Sequence, residues 1–415
     1  MAGLAIRGRC RPHMILGFST DRVVLCMSNR RVSHLPRILM LVLIWGAFAV
    51  KGVPQTSVAT DTVEADAFAE ISPLIQAAIE EGQMPGAVVG IADHDGILYL
   101  RAFGDRRVEP ERVPMTVDSV FDLASITKPV ATALSVMRLQ QDGVIELDAP
   151  VSRYLPEFAE NDKATVTVKQ LLVHTGGLIP DNSLKDYRDG DETTWQRICE
   201  LKLRSAPGEK FSYSDVGFIV LGKLVERVSG QRLDRYAAEH VFIPLGMSET
   251  MFLPSSELRQ RAVPTEKASD GESWICGSVH DPRAAAMGGV AGHAGLFSTA
   301  GDLLRLGQSF LPGNRDRHPV LNRETIDLMS CPVEVPRGTR MLGWDHRSPY
   351  SSNRGESLSD AAFGHGGFTG TVIWIDPELD RVFVFLSSRL HPDGKGSVNG
   401  LAGQIATIIG NEAKK

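Results

Sequence analysis

The chain contains a single Ser-x-x-Lys sequence, Ser125-Ile126-Thr127-Lys128. Residues three apart on a helix lie on one face, about one turn from each other. Ser125 opens an amphipathic run that reaches Gln141, so its hydroxyl is expected at a helix N-terminus, where developing negative charge is favoured. A serine hydroxyl becomes a good nucleophile when a neighbour takes its proton. Burial of Lys128 would lower its pKa and suit it to that role.

This pair alone is a weak signal, because about one such spacing arises by chance in a chain of this composition. The alternative is that Ser125 caps a helix and Lys128 is a solvated side chain. Other candidate groups are therefore needed to support a catalytic reading.

A second candidate group is Tyr213-Ser214-Asp215, which follows Pro207-Gly208 where a loop ends and a helix begins. A tyrosine beside a lysine ammonium can be pushed toward phenolate, or can relay a proton between a serine and a leaving group. The alternative is that Asp215 is the helix N-cap and Tyr213 packs against its neighbours. Both interpretations can hold at once.

A third candidate group runs from His365 to Gly370 (HGGFTG) and precedes a β-rich run. Glycines such as Gly367 at the start of a strand let a substrate backbone lie close to its edge. We predict that the N–H of about Phe368 and the N–H of Ser125 form an oxyanion hole. His365 can donate to a substrate carboxylate or carbonyl, with a charge that depends on pH. The alternative is a plain glycine turn into a strand.

The elements that must position these groups follow from hydrophobic periodicity. We predict a helix over 65–81, strands over 86–92 and 97–103, strands over 370–375 and 382–387, and a closing helix over 398–409. The part between them is helical and loop-rich, with helices over 126–141, 215–228 and 233–242.

This order predicts an α/β (α+β) fold, in which an antiparallel sheet flanked by helices carries an inserted, mainly helical lobe. The α/β lobe takes residues 63–122 and 283–412, and the helical lobe takes residues 123–282. A cleft between two such lobes is a usual place for a small-molecule site.

The N-terminus reads as a targeting segment. Arg30, Arg31 and Arg37 precede a short apolar run, which ends in Ala-Phe-Ala at residue 49. These are the parts of a signal peptide, and the run is too short to remain as a membrane span. The alternative is an uncleaved anchor.

We therefore expect a signal peptide over 1–49, a linker over 50–62 and one enzyme domain over 63–412. Starting at Met27 gives the signal peptide a normal length, a hypothesis that N-terminal sequencing of secreted protein tests. The protein is expected to be exported, either periplasmic or secreted, with no stable membrane span in the mature chain.

Composition excludes some partners. The 415 residues are 43% hydrophobic and 23% charged, with a formal net charge of −6. No basic field for nucleic acid exists in such a chain. The three cysteines beyond residue 49 make no disulfide framework.

Three residues are candidate metal ligands. His280, Asp281 and His293 could be ligands, but their spacing fits no standard site. We therefore expect neither a metal nor a cofactor.

Taken together, the three groups resemble the serine hydrolase family of class C β-lactamases, low-molecular-weight penicillin-binding proteins (DD-peptidases) and related esterases. The order is the same: Ser-x-x-Lys, then Tyr-x-Asn/Asp, then Lys/His-x-Gly opening a strand. Flanking segments at 171–178 (LLVHTGGL) and 295–300 (GLFSTA) are also similar. The resemblance covers residues from about 66 to 410, and implies a β-lactamase/transpeptidase-like fold.

The resemblance also implies roles for the residues. Ser125 would attack a carbonyl and form an acyl-enzyme, with Lys128 and Tyr213 as base and proton relay in an order that stays open. Asp215 stands where the family usually has Asn, and His365 where β-lactamases carry Lys. Both departures argue against recognition of a β-lactam carboxylate by a permanent cation.

A second His-x-Gly sequence begins at His293 and precedes a helical pattern, so we place it on a loop near the cleft rim with a structural role. The segment 287–299 (MGGVAGHAGLFST) is similar to a subgroup found with β-N-acetylglucosaminidases in cell-wall turnover. That similarity hints at muropeptides or related amides as substrates.

The sequence thus predicts an exported serine hydrolase that forms an acyl-enzyme on Ser125 with an ester or amide, a small molecule or a peptidoglycan fragment. A class C-type β-lactamase or a DD-carboxypeptidase is the alternative within this class. A noncatalytic penicillin-binding module is the alternative from a different class.

Overall fold

A computed structural model describes residues 67–387 and 389–415. The predicted signal peptide and linker, and residues 63–66 of the predicted domain, lie outside the described residues. All described residues belong to one compact unit.

The described residues form twelve strands and twelve α-helices. The strands are β1 (Gly86–Ala92), β2 (Ile97–Arg107), β3 (Val113–Pro114), β4 (Phe121–Asp122), β5 (Met251–Phe252), β6 (Leu296–Ser298), β7 (Val333–Val335), β8 (Gly338–Arg340), β9 (Asp345–Arg347), β10 (Phe363–Gly367), β11 (Thr371–Asp376) and β12 (Arg381–Ser387). The helices are α1 (Ile71–Glu80), α2 (Leu134–Gln141), α3 (Val168–Leu172), α4 (Asp191–Glu200), α5 (Asp215–Ser229), α6 (Leu233–Ala237), α7 (Ile243–Leu245), α8 (Ser256–Gln260), α9 (Pro282–Ala286), α10 (Ala300–Ser309), α11 (Arg323–Met329) and α12 (Asn399–Glu412).

The main sheet has nine antiparallel strands in the order β3-β2-β1-β12-β11-β10-β9-β8-β7. Strands from the two ends of the chain meet at its centre, where Ala87 of β1 pairs with Ser387 of β12. A smaller sheet, β4-β6-β5, lies beside it. The predicted fold class, an antiparallel sheet flanked by helices, is confirmed.

Helices cover both faces of the main sheet. Along β12, Phe383 and Phe385 pack with α1 and α12, whereas Val384 and Leu386 join the larger core on the opposite face, with α10 and the helices of the middle of the chain. Successive side chains of a strand point to opposite faces. Both faces of the central strands are therefore apolar, and the sheet is a rigid base for the site.

The segment after Ser125 is helical but irregular. It begins with a 3₁₀ turn at Ala124–Ile126, continues as a π-helix at Lys128–Ala133 and becomes α-helical only at α2. Pro129 has no backbone N–H to give to the helix, which favours such a departure from α-geometry.

Two local expectations are corrected. The N-cap of α5 is Ser214, whose side chain accepts the N–H of Gly217, and Asp215 is the first helical residue. His365, Gly366 and Gly367 lie at the end of β10 rather than at the start of the next strand, and a short turn through Gly370 leads into β11. Asp215 is thereby free to interact with other groups.

None of the helices in the described part of the chain is long and apolar enough to cross a membrane.

Candidate active site

The nucleophile candidate follows a strained residue. Ala124 has a φ of 46°, a conformation that is unusual for a residue with a side chain. The carboxylate of Asp122 accepts the N–H of Ala124 at 2.8 Å and helps to hold this turn. Ser125 is consequently presented, half-buried, in the first turn of the helical segment.

Lys128 lies beneath Ser125 and is completely buried. Its ammonium group donates to Ser125 Oγ at 3.0 Å and to the backbone carbonyl of His293 at 3.0 Å, and it forms an ion pair with Asp215 Oδ1 at 2.6 Å. An ammonium has three N–H donors. Two of them therefore donate to the nucleophile candidate and to a backbone carbonyl, and Asp215 supplies the opposite charge.

The expected pKa of Lys128 is corrected by these contacts. Burial alone would lower the pKa of this amine, but the carboxylate of Asp215 outweighs burial and raises the pKa above its usual value. The same ion pair lowers the pKa of Asp215, although burial opposes it. The pair is therefore an ammonium and a carboxylate at neutral pH.

Tyr213 is held between two rings. His174 stacks on it at 4.3 Å between centroids, and Tyr350 stacks on it at 4.7 Å. The Nδ1 atom of His174 also accepts the backbone N–H of Ser214. The motif around His174 contributed to the family resemblance but was given no role. The contacts make His174 a positioning residue for Tyr213.

The hydroxyl of Tyr213 is buried and has no hydrogen-bond partner of good geometry among the described residues. Burial raises the pKa of Tyr213, and the charge of Lys128 only partly offsets this effect. The ammonium lies 5.0 Å from the centre of the tyrosine ring. Tyr213 is therefore a neutral phenol beside a cation that would stabilise its anion.

A network of polar side chains lies next to Lys128. His293 is 1% exposed and its Nε2 lies 3.0 Å from Asp281 Oδ1, an oxygen that also accepts the first amide groups of α9. The hydrogen bond from His293 lowers the pKa of Asp281, although burial would raise it. His293 is thus on the buried floor of the site rather than at its rim.

Asp215, Asp281 and His293 each place one potential ligand atom within 4.8 Å of the others. These atoms already serve the ion pair with Lys128, the cap of α9 and the bond between Asp281 and His293. A divalent cation here would also face the ammonium of Lys128. The donor set therefore fits an ion-pair network better than a metal centre.

The end of β10 lies against the residues that precede Ser125. A side chain at Gly367 would place its Cβ 2.4 Å from the carbonyl oxygen of Leu123, a clash that only glycine avoids. Thr369 donates to the carbonyl of Asp122 at 2.7 Å, and Thr371 donates to that of Leu123. These contacts hold the β10–β11 turn beside the nucleophile, where the oxyanion hole is predicted.

His365 cannot act as expected. Its Nδ1 donates to the carbonyl of Gly366 at 2.8 Å, so the other ring nitrogen, Nε2, is an acceptor. Burial, together with the charges of Arg340 and Lys128, lowers the pKa of His365 to about 3. The expectation of a pH-dependent donor to a substrate carboxylate is therefore wrong, because this tautomer presents only a lone pair.

These groups share one cleft of about 650 Å³. The structure brings together six of the predicted site residues in its lining, namely Ser125, Tyr213, Asp215, His365, Gly367 and Phe368, while Lys128 lies just below its surface. The side chain of Phe368 is exposed and is covered by the guanidinium of Arg389.

Other residues of the lining had no signal in the sequence. They include Arg340, Asp345 and Tyr350, which lie on strands and loops outside the three motifs. Only the pairing of β8, β9 and β10 brings them to the cleft.

Comparison with known proteins gives the family. The Beta-lactamase family profile matches residues 71–407. The chain belongs to the Beta-lactamase family. The match to this family, together with the enzyme names of its relatives, identifies it as a serine hydrolase.

The curated relatives cover most of the chain. A putative D-alanyl-D-alanine carboxypeptidase of Escherichia coli (strain K12) is 34% identical over 343 residues, 74% of this chain and 79% of that protein. An N-acetylmuramyl-L-alanine amidase of Bacillus subtilis (strain 168) is 30% identical over 358 residues, 78% of this chain and 81% of that protein.

A solved structure supports the same fold. EstCE1, described as a hydrolase with promiscuous acyltransferase activity, superposes with a TM-score of 0.68 at 23% identity, over 85% of this chain and 100% of that one. At this identity the similarity speaks for the fold alone. Within the Beta-lactamase family the cleft with Ser125 and Lys128 is the candidate active site.

Proposed function

We propose that this protein is an exported hydrolase of the cell envelope, which cleaves esters or amides through an acyl-enzyme on Ser125. The observation that carries the proposal is the buried ammonium of Lys128, with one of its three N–H groups directed at Ser125 Oγ. A hydroxyl in this position has its oxygen held by a cation while its own hydrogen remains available to a base.

Tyr213 is the better candidate for that base. Either group must lose a proton before it can act as a base; the ion pair with Asp215 opposes this loss at Lys128, whereas the charge of Lys128 favours it at Tyr213. The reactive form is the phenolate of Tyr213, which the charge of Lys128 stabilises, and as Ser125 attacks the carbonyl carbon its proton passes to the phenolate oxygen. Tyr213 then returns the proton to the leaving group.

The predicted oxyanion hole completes the acylation step. The N–H groups of Ser125 and Phe368 would receive the negative charge on the carbonyl oxygen. Water then attacks the acyl-enzyme, again with proton transfer through Tyr213, and releases the acid. Each step returns Lys128 and Tyr213 to their starting protonation states, and deacylation restores the free hydroxyl of Ser125.

Substrate choice rests on His365 and on the relatives. A β-lactam carboxylate has no permanent cation at this strand position, since His365 is neutral and presents an acceptor. Both curated relatives carry names of cell-wall enzymes. Muropeptides are accordingly the preferred substrates, with slow turnover of β-lactams.

The test is intact-mass spectrometry during hydrolysis of a p-nitrophenyl ester, with Ser125→Ala in parallel. We expect turnover with a transient acyl adduct, and loss of both in the variant. Tyr213→Phe removes the hydroxyl that is the proposed base but keeps the aromatic ring, on which His174 and Tyr350 would still stack. Near-normal acylation in Tyr213→Phe contradicts the assignment of the base.

If neither the ester nor a muropeptide acylates Ser125, the alternative of a noncatalytic penicillin-binding module is favoured. Fast turnover of a β-lactam by the wild-type protein would instead contradict the argument from His365.

A further inference from the structure

A second cavity adjoins the active-site cleft beside Phe368. It has a volume of about 510 Å³, and His280 and Pro282 line both the cleft and this cavity. We call it the side pocket. Its apolar lining includes Leu253, Pro254, Ile275, Val279, Ala285 and Phe297. These residues lie outside the three motifs, so the mechanism proposed above gives the side pocket no role.

The polar residues of the side pocket lie at its rim. Arg259, Ser269 and Ser278 are exposed, whereas Pro254 and Phe297 are buried. The Nε atom of Arg259 donates to the carbonyl of Pro254 at 2.9 Å, which holds the guanidinium at the edge. A concave apolar floor with a few polar groups around it is the usual form of a site for an apolar group.

The backbone keeps the side pocket open. Gly288 and Gly289 line it with φ angles of 74° and 83°, a region that favours glycine. A Cβ atom at Gly288 would meet nothing within 4 Å. Leu253 has a φ of 52° and a side chain that is 45% exposed at the pocket wall. A residue with a side chain keeps such a strained conformation only where the surrounding structure holds it there.

His280 forms the partition between the cleft and the side pocket. Its ring stacks on Phe368 at 5.7 Å between centroids, and its Nε2 lies 2.9 Å from Glu266 Oε1. Its backbone N–H donates to the carboxylate of Asp122 at 2.7 Å. The same carboxylate holds the turn that precedes Ser125. The entrance of the side pocket is therefore fixed relative to the nucleophile, next to the predicted oxyanion hole.

The proposed mechanism decides which part of a substrate faces this entrance. The leaving group must reach Tyr213, whose ring neighbours include Tyr350 and His365. The acyl group lies on the other side of the carbonyl carbon, and it therefore runs along Phe368 toward His280. A flexible aliphatic chain can pass around the ring of His280 into the side pocket.

We propose that the side pocket binds the acyl chain of aliphatic esters, which are a second substrate class beside cell-wall amides. Ser125 Oγ bonds to the carbonyl carbon, the ester C–O bond breaks, and the alcohol leaves with the proton from Tyr213. The acyl chain stays in the side pocket until water releases it as the carboxylic acid. This inference rests on the acyl-enzyme of the proposed function and adds a substrate class to it.

A series of acyl-chain lengths tests the side pocket. The assay measures kcat/KM for the p-nitrophenyl esters of acetic, butyric, hexanoic and octanoic acids, each below the concentration at which it forms micelles. Each methylene that enters an apolar pocket should raise kcat/KM about fourfold. We expect kcat/KM for the octanoate to exceed that for the acetate by about 100-fold or more. Intact-mass spectrometry checks that both acyl groups are carried by Ser125.

Two neighbouring alanines of α9 give a matched pair of variants. Both are exposed, but Ala285 lines the side pocket, whereas Ala286 lines a separate cavity beside α4 and α5. Ala285→Phe should fill the side pocket and lower the octanoate-to-acetate ratio of kcat/KM by about tenfold or more. Ala286→Phe adds the same ring outside the pocket and should keep the wild-type ratio. Ala268→Phe fills the side pocket from another wall and should repeat the effect of Ala285→Phe. Thermal melting checks that every variant is folded.

The failures are distinguishable. If esters acylate Ser125 but octanoate and acetate have equal kcat/KM in the wild-type protein, the side pocket does not bind the acyl chain and the proposed function stands. A wild-type ratio in folded Ala285→Phe and Ala268→Phe also overturns the acyl site. If a muropeptide acylates Ser125 and no ester does, only the second substrate class is lost. If neither acylates Ser125, the proposed function fails and the acyl site fails with it.

Discussion

Lys128 and Lys163 are two completely buried lysines in the same protein, and their partners differ in kind. Lys163 donates to three backbone carbonyls, those of Glu160, Cys199 and Leu201, at 2.6–2.7 Å. Two of these carbonyls lie at the C-terminal end of α4, where helix carbonyls lack partners of their own. Lys163 therefore ties a loop to a helix end.

Lys128 has only one backbone carbonyl among its partners, that of His293. Its other two partners are the hydroxyl of Ser125 and the carboxylate of Asp215. Burial lowers the pKa of Lys163, and nearby charges do not reverse this shift. In Lys128 the carboxylate of Asp215 reverses it. Burial alone therefore does not decide whether a lysine can act as a base. The charge of its nearest partner does.

The largest expected effect is on catalysis by Lys128→Met. Removal of the ammonium leaves Ser125 without its donor and Tyr213 without the charge that stabilises its anion. We expect the rate of Ser125 acylation to fall by about 10³-fold or more, because members of such a unit act together. Stopped-flow measurement with a p-nitrophenyl ester gives the rate, and near-normal acylation would remove Lys128 from the mechanism.

Lys163→Met should act on stability instead. Three buried carbonyls would lose their donor, which we expect to lower the free energy of unfolding by about 2–4 kcal/mol. Urea denaturation measures the loss. Acylation per folded molecule should stay within about twofold of wild type, and a larger drop would mean that the two lysines are not functionally separate.

Asp215→Asn sharpens the comparison by making the partners of Lys128 neutral, as those of Lys163 are. Without the carboxylate, burial should bring the pKa of Lys128 down, so that the amine loses its proton within the range of an ordinary assay. We expect acylation at pH 7 to fall about tenfold and a new ionisation to appear in the pH–rate profile. A profile identical to that of wild type would show that Asp215 does not control Lys128.

His365 tests the same rule at the smallest scale, since burial and the charges of Arg340 and Lys128 outweigh the carboxylate of Asp345 at its ring. Its pKa is about 3, against 6.5 for the free side chain. Between these values the unfolded chain binds a proton that the folded chain does not, so His365 lowers stability as the pH falls.

His365→Gln should remove that slope. The difference in unfolding free energy between variant and wild type should change by at most about 1.4 kcal/mol per pH unit below pH 6.5. The acid limb of the acylation profile between pH 5 and 8 should be the same in both proteins. A shifted limb would mean that His365 titrates in the working enzyme.

Local patterns predicted much of the fold. The helix α5 begins and ends within one residue of the predicted 215–228, and the β11–β12 hairpin agrees with the predicted strands to a similar degree. Alternation and helical spacing are properties of neighbouring residues, so they can be read without the tertiary structure. The break-up of the helix after Ser125 is also a local effect, that of Pro129, and the predicted helix over 126–141 does not include it.

The candidate site likewise has features that the sequence predicted and features that only tertiary contacts explain. The types and spacing of Ser125, Lys128 and Tyr213 indicated a nucleophile with proton carriers, because those residues are close in sequence to helix starts. The charge of Lys128, the acceptor role of His365 and the side pocket beside His280 depend on contacts between distant parts of the chain. His293, for example, is 165 residues from the lysine that its carbonyl accepts.

The sequence by itself therefore determined which residues could react and on which elements they lie. The tertiary structure alone decided their protonation states and the free donors and acceptors around them. The physical reason is that a pKa and a hydrogen-bond vacancy are set by whatever charge or dipole lies within a few ångströms. In this chain those neighbours come from strands and loops that only folding brings together.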